Sequence, residues 1–211
     1  VGHAIEAWKV PEWAGVNPAD GRPMFYDKNG NLTYFPTNED EKFFDSAMED
    51  AVGGFGTQFS WKGLAVNAFF DFSFGAKAQP ATQMSWTDPF GENVLAFVVN
   101  KRWKKPGDVT MYPRAVPFGS YPNARSPDYP VATNWLYKAN YVRLKNVTVS
   151  YSLPPAFADQ LGIQDGRIYA SGINLWQKSP YLGIDPEVAG TSEASSYPAE
   201  QQLNVGVEIT L

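Results

Sequence analysis

Few residues in this sequence could carry catalysis. His3 is the only histidine and cysteine is absent, so Ser-His-Asp relays, thiolate nucleophiles and His- or Cys-ligated metals lack their central groups. Gly53-Gly54-Phe55-Gly56 has the glycine density of a phosphate cradle, yet no helix carrying a basic residue follows it. Glycines within a strand explain it better. Asp27, Asn29 and Asn31 are spaced like the opening of a calcium loop, but Leu32 and Asn38 stand where that loop needs Gly and Glu. A hairpin tip at Asn29-Gly30 is the better reading. The expectation is no catalytic residue, no metal and no cofactor. What remains is recognition: Trp86, Trp103, Tyr112, Tyr121, Tyr129 and Trp135 share one stretch with Arg102, Arg114 and Arg125. Aromatic faces stack on sugar rings and guanidinium groups bind hydroxyls or carbonyls, while the same side chains also pack loops against themselves or a partner.

The elements that must position these residues are β-strands. Aromatic residues make up 15% of the chain and charged residues 18%, with 18 Gly and 17 Pro; soluble domains carry about 25% charged residues. A net charge of −5 offers no basic face for nucleic acid. No apolar run approaches the roughly 20 residues a membrane helix needs; Val94-Leu95-Ala96-Phe97-Val98-Val99 is far shorter. A membrane reading therefore has to go through a closed barrel. Val1-Gly2-His3-Ala4 does not read as a signal peptide, which points to a start partway through a longer chain.

The last residues alternate strictly. Leu203, Val205, Val207, Ile209 and Leu211 interleave with Gln202, Asn204, Gly206, Glu208 and Thr210, over about the length of a tilted bilayer-crossing strand. Phe55, Thr57, Phe59 and Trp61, then Leu64, Val66, Ala68, Phe70, Phe72 and Phe74, flank Lys62-Gly63 as a tight hairpin with long arms. Its other face carries Asn67 and Asp71, which a wet lumen accepts and a sandwich core does not. Asn146, Asn204 and Glu208 are expected to face the same lumen. Two strands are less regular: Val142 and Leu144 are out of phase with Val147, Val149 and Tyr151, and Ile168 to Lys178 is apolar on both faces.

Connections alternate between short and long, as outer-membrane barrels require. The expected layout is a strand at 1–10, an extracellular region at 11–52, a hairpin at 53–74 and a long extracellular loop at 75–138. A strand at 139–152, a periplasmic turn at 153–166, a strand at 167–178, an extracellular loop at 179–199 and a terminal strand at 200–211 complete it. Glu39 to Glu49 suggests one or two acidic helical turns. The fold class is all-β: a membrane-spanning antiparallel β-barrel segment of five or six strands with long extracellular loops. So few strands cannot close a wide barrel, so the remaining wall must come from elsewhere.

Asn140-Tyr141-Val142-Arg143-Leu144-Lys145-Asn146 through Tyr151-Ser152-Leu153-Pro154, then Arg167-Ile168-Tyr169-Ala170-Ser171-Gly172-Ile173-Asn174-Leu175 and Tyr181-Leu182-Gly183-Ile184-Asp185-Pro186, resemble SusC/RagA-like TonB-dependent transporters. Trp13-Ala14-Gly15-Val16-Asn17-Pro18 and Phe59-Ser60-Trp61-Lys62-Gly63 match as well, while Leu211 departs from the family's aromatic ending. The resemblance implies the last quarter of a barrel of roughly 22 strands, with the rest of the barrel, its plug and the TonB-contacting part outside this chain. It also implies a Gram-negative outer-membrane location with the C-terminus periplasmic, a SusD-like surface lipoprotein as lid, and glycan or peptide cargo.

On that reading Trp86, Trp103, Arg114, Tyr121, Tyr129, Trp135 and Tyr181 are the expected contacts to cargo or lid. The function expected is active import, not enzymatic. The alternatives are a non-transporting scaffold on the same barrel, or a soluble β-sandwich enzyme or lectin.

Overall fold

The computed structural model describes residues 2–4, 6–80, 94–115, 131–188 and 197–211. The chain forms two compact units. Glu49–Phe74, Asn140–Pro180 and Tyr197–Leu211 make up one, and Val1–Met48, Gly75–Ala139 and Tyr181–Ser196 the other.

In the second unit, β1 (Ala7–Val16) lies between β2 (Pro23–Tyr26) and β4 (Glu41–Ser46), with β3 (Leu32–Thr33) outside β2. The strand expected from His3 thus starts at Ala7, and it joins this four-stranded sheet. The acidic stretch expected to be helical is the strand β4. Pairing with β1 decides this: Lys42 reaches Glu12 at 3.0 Å and Lys9 reaches Glu41 at 3.2 Å across the two strands. Cross-strand partners and the neighbouring Phe43 and Phe44 outweigh the weak helical bias of the acidic residues. Phe25 is fully buried, with Trp13 edge-on to it at 5.3 Å.

The tip between β2 and β3 is held by Asp27, whose carboxylate accepts the amide N–H groups of Asn29 and Asn31, each at 2.8 Å. The calcium-like spacing is thus a self-contained Asx turn. Downstream, β7 (Lys77–Ala78) pairs with β8 (Tyr137–Lys138), and between them lie α1 (Ala96–Lys101) and a 3-10 turn at Thr133–Trp135. The structure thus gives local order to the described parts of the stretch read as one long loop. Trp86, Tyr121, Arg125 and Tyr129 lie outside the described residues.

The first unit is a five-stranded antiparallel meander. β5 (Ala51–Trp61), β6 (Leu64–Phe74), β9 (Tyr141–Ser152), β10 (Asp165–Lys178) and β11 (Gln202–Thr210) lie in the order β11-β10-β9-β6-β5. Strands of 9 to 14 residues exceed the common five or six and match the length that crosses a bilayer at a tilt. Lys62 and Gly63 both have positive φ, 47° and 87°, the turn whose twist suits a two-residue hairpin. The β9-to-β10 connection carries α2 (Pro155–Gln160).

Two register shifts resolve the irregular strands. Phe69 pairs with Asn146 but Phe70 with Leu144, so Lys145 is an extra residue in β9. That bulge returns Val142 and Leu144 to the same face as Val147, Val149 and Tyr151. In β10, Ile173 pairs with Asn146 and Trp176 with Leu144, and Asn174 takes a φ of 54°. There Leu175 lies over Gly172, on the apolar face.

Candidate functional site

Register assigns the two faces of the five-stranded sheet, because cross-strand partners share a face. One face carries the rows Trp61–Leu64–Tyr151–Ile168–Val207 and Phe59–Val66–Val149–Ala170–Val205. Its large side chains are exposed: Trp61 at 60% and Val205 at 74%. Contiguous apolar surface of this kind is rare on soluble monomers and marks contact with lipid or a partner.

The opposite face carries Ser60–Ala65–Ser150–Tyr169–Gly206 and Gln58–Asn67–Thr148–Ser171–Asn204. Asn67, Asp71, Asn146, Asn204 and Glu208, the residues expected to line a lumen, all fall on this face. Phe69 and Ile173 interrupt it with an apolar band, Phe69 lying over Gly54 and Gly56.

Three residues of this face escaped the sequence reading. Arg143 pairs with Asp71 and with Gln177 across its neighbours. It is 2% exposed and donates from Nε to Gln177 Oε1 at 2.8 Å, with a second guanidinium nitrogen on the same oxygen. Lys145 Nζ stands 3.5 Å from Asp71 Oδ2. The phase slip at Lys145 hid Arg143, because counting by twos from Val147 puts it among the apolar residues. That slip is itself the signal of a bulge. The others are Arg167 and Tyr169, which with Thr148, Ser171, Val207 and Glu208 line a cavity of about 440 Å³. Arg167 Nη1 is 3.8 Å from Glu208 Oε2, and its guanidinium carbon is 5.8 Å from the Tyr169 ring centre.

The expected contact residues divide by burial. Trp135 and Tyr181 are buried, at 7% and 8% exposed. Tyr181 packs with Ala76, Ala78 and Ala139 and donates its hydroxyl to the Gln79 carbonyl at 3.2 Å. Trp103 covers Gly21, where a Cβ would come within 2.5 Å of the indole, and its Nε1 donates to the Pro18 carbonyl at 3.0 Å. These three hold the fold of the unit. Arg114 is tied through its backbone, its N–H donating to the Gly21 carbonyl at 2.9 Å, and its side chain is exposed. Of the four described contact residues it is the one whose side chain is classed as exposed. No group of metal ligands occurs among the described residues.

Known proteins share sequence and fold with this chain. No protein-family profile matches the chain. "TonB-dependent receptor P3" of Formosa agariphila is 30% identical over 180 residues, 84% of this chain and 17% of that protein. "TonB-dependent receptor SusC" of Bacteroides thetaiotaomicron is 26% identical over 214 residues, 99% of this chain and 20% of that protein. The chain is homologous to SusC- and RagA-like TonB-dependent receptors. The solved "Structure of the RagAB peptide transporter" superposes with a TM-score of 0.78 at 24% identity, covering 96% of this chain and 22% of that one. The closed-closed state of the RagAB peptide importer gives 0.77 at 25% identity, covering 96% and 23%. The fold is that of a β-barrel wall segment, and the chain spans about a fifth of the length of these relatives. Those relatives are receptors and transporters rather than enzymes.

Proposed function

We propose that this chain is wall and outer loops of an outer-membrane importer that takes up oligosaccharides or peptides through a TonB-dependent cycle. A SusD-like surface lipoprotein would close the barrel from outside, and the rest of the polypeptide would supply the remaining strands and the TonB contact. The observation that carries this reading is the division of one sheet into an exposed apolar face and a polar face with a cavity. Lipid accepts the first and a water-filled passage the second. The two-residue turn at Lys62-Gly63 and the compact connection holding α2 lie on the periplasmic side, so the C-terminus is periplasmic as well. The wall's role is positional: polar side chains wet the path, and the loop unit presents Arg114 to lid or cargo.

Arginine placed on each face of β11 in the full-length protein tests this. Val205→Arg meets lipid near mid-strand and costs about 2–4 kcal/mol, so outer-membrane assembly falls, while Asn204→Arg assembles normally. Equal tolerance at both positions would refute the membrane wall. Deleting residues 76–134 from an importer that still assembles is expected to abolish uptake of labelled oligosaccharide or peptide and binding of the lipoprotein. Unchanged uptake and binding would refute the role given to the loop unit.

A further inference from the structure

The connection between β9 and β10 presents apolar side chains that the described residues leave uncovered. It is held at both ends: Leu153 N–H donates to the Gly166 carbonyl and Gln164 N–H to the Thr210 carbonyl, each at 2.8 Å. Within it, Gly162 at φ 71° closes α2, and Ile163 N–H reaches back to the Ala158 carbonyl at 3.1 Å. Ala158 is buried against the fold, whereas Phe157 and Leu161 are 49% and 57% exposed. Four residues apart, these two stand together on one flank of α2, and Asp159 stands on the other. A short helix locked in place with a Phe and a Leu turned outward is built to meet an apolar surface.

What that surface is follows from its neighbours. Leu153 and Ile163 both lie over Gly166, which shares the apolar face of the sheet with its partner Ile209 and with Ile168 and Val207. The connection thus folds onto the apolar face. At the same end of the sheet Trp61 and Tyr151 are exposed on that face, and the Lys62 ammonium stands 5.1 Å from the Trp61 ring centre. The Gly63 carbonyl accepts the Ser152 N–H at 2.9 Å, so this turn abuts the connection. Aromatic rings and a Lys stem mark the level where acyl chains give way to headgroups. We propose that α2 rests at that boundary in the periplasmic leaflet, with Phe157 and Leu161 among phospholipid acyl chains, and holds the β9–β10 end at a fixed depth. The inference rests on the sheet being a membrane wall with this end periplasmic. Lipid is favoured over a protein partner because the surface continues the lipid-facing one. Leu153 to Gly166 holds Asp159 and Asp165 and no Lys or Arg, so zwitterionic phospholipid suits it better than an anionic headgroup.

Photocrosslinking in the full-length protein, in its native outer membrane, tests this. Three separate proteins carry p-benzoylphenylalanine in place of Phe157, Asp159 or Val205. The expected result is lipid labelling from position 205 and phospholipid adducts from position 157, with a yield from position 159 about tenfold lower. Leu161→Asp then lowers the position-157 adduct about tenfold while labelling at 205 persists, and Leu161→Met retains most of it. Labelling at 205 with no lipid adduct at 157 overturns the inference alone. So do equal yields at 157 and 159, a protein adduct in place of lipid at 157, or a yield that Leu161→Asp leaves unchanged. A lipopolysaccharide adduct at 157 puts this end in the outer leaflet and overturns the periplasmic assignment with the inference. No lipid labelling at 205 overturns the wall reading beneath both.

Discussion

Tyr169 on β10 and Gly206 on β11 are cross-strand partners, and the phenol occupies the place a side chain at 206 would take: a Cβ there would lie 2.4 Å from Tyr169 Cζ. The overlap is with the far end of a side chain, which can swing away. Gly206→Ala is therefore expected to cost only about 1 kcal/mol. With Tyr169→Ala already present, the same change should be neutral or slightly stabilising, since Gly in a strand interior is itself unfavourable. A urea-unfolding double-mutant cycle on the full-length protein measures the coupling, and additive effects would contradict the seating of the ring.

The β5–β6 turn gives a sharper contrast. At Gly63 a Cβ would stand 2.8 Å from the Ser152 carbonyl oxygen, and φ is 87°. Backbone cannot rotate out of the way, so Gly63→Ala should cost about 2–3 kcal/mol. Lys62, at φ 47°, bears about 1 kcal/mol of left-handed strain. Its ammonium sits 5.1 Å from the Trp61 ring centre, and such a contact returns about half of that when exposed. Lys62→Asn should thus stabilise by about 0.5 kcal/mol, seen as a higher urea midpoint with unchanged slope.

What the sequence made legible follows from how local each signal was. The terminal strand and the β5–β6 hairpin could be seen because period two holds there without a break and the turn residues are those the turn needs. β9 and β10 were harder because Lys145, and Asn174 with Leu175, each break the count, and register across neighbouring strands is needed to restore it. The positions expected to line a lumen, Asn67, Asp71, Asn146, Asn204 and Glu208, share one face of the sheet, whereas Arg143 and Arg167 became apparent only from pairing. Trp135 and Tyr181 looked available for binding because nothing local announces burial. Tyr181 is covered by Ala76, Ala78 and Ala139, distant in sequence. β4 was misread for the same reason, since its partner β1 lies some thirty residues away.

Removing Arg143 should be the most damaging polar change in the wall sheet. It is almost wholly buried and held by Gln177 through two donors. Arg143→Ala should cost about 3 kcal/mol, because it empties a buried site and removes two charge-assisted hydrogen bonds to Gln177. Arg143→Lys keeps the charge but loses the fork, and is expected to recover no more than about half. Gln177→Ala should cost about 1 kcal/mol alone and nothing further once Arg143 is gone. Equal midpoints for wild type and Arg143→Ala would remove this network from any account of wall stability.

Acid should loosen the β2–β4 region through Asp40. Its carboxylate accepts the Thr37 N–H at 2.7 Å, the Lys28 N–H at 2.9 Å and the Thr37 hydroxyl at 2.8 Å. The Thr37 and then the Lys28 amide bonds hold its pKa below the ordinary 3.8. A group whose pKa is lowered on folding binds protons more readily when unfolded. Its stabilisation is therefore complete above 3.8 and declines as pH falls through the lower folded value. Asp27, lowered first by the Asn31 amide, shifts in the same direction, so both turns loosen in one window. Hydrogen exchange at the Lys28 and Thr37 amides should accelerate below pH 3.8 in the wild type. Asp40→Asn should leave those amides open at neutral pH, costing about 1–2 kcal/mol, and flatten their pH response. Asp27→Asn should alter only the Asn29 and Asn31 amides. If the Thr37 amide kept its pH response in Asp40→Asn, another group would have to be holding the turn.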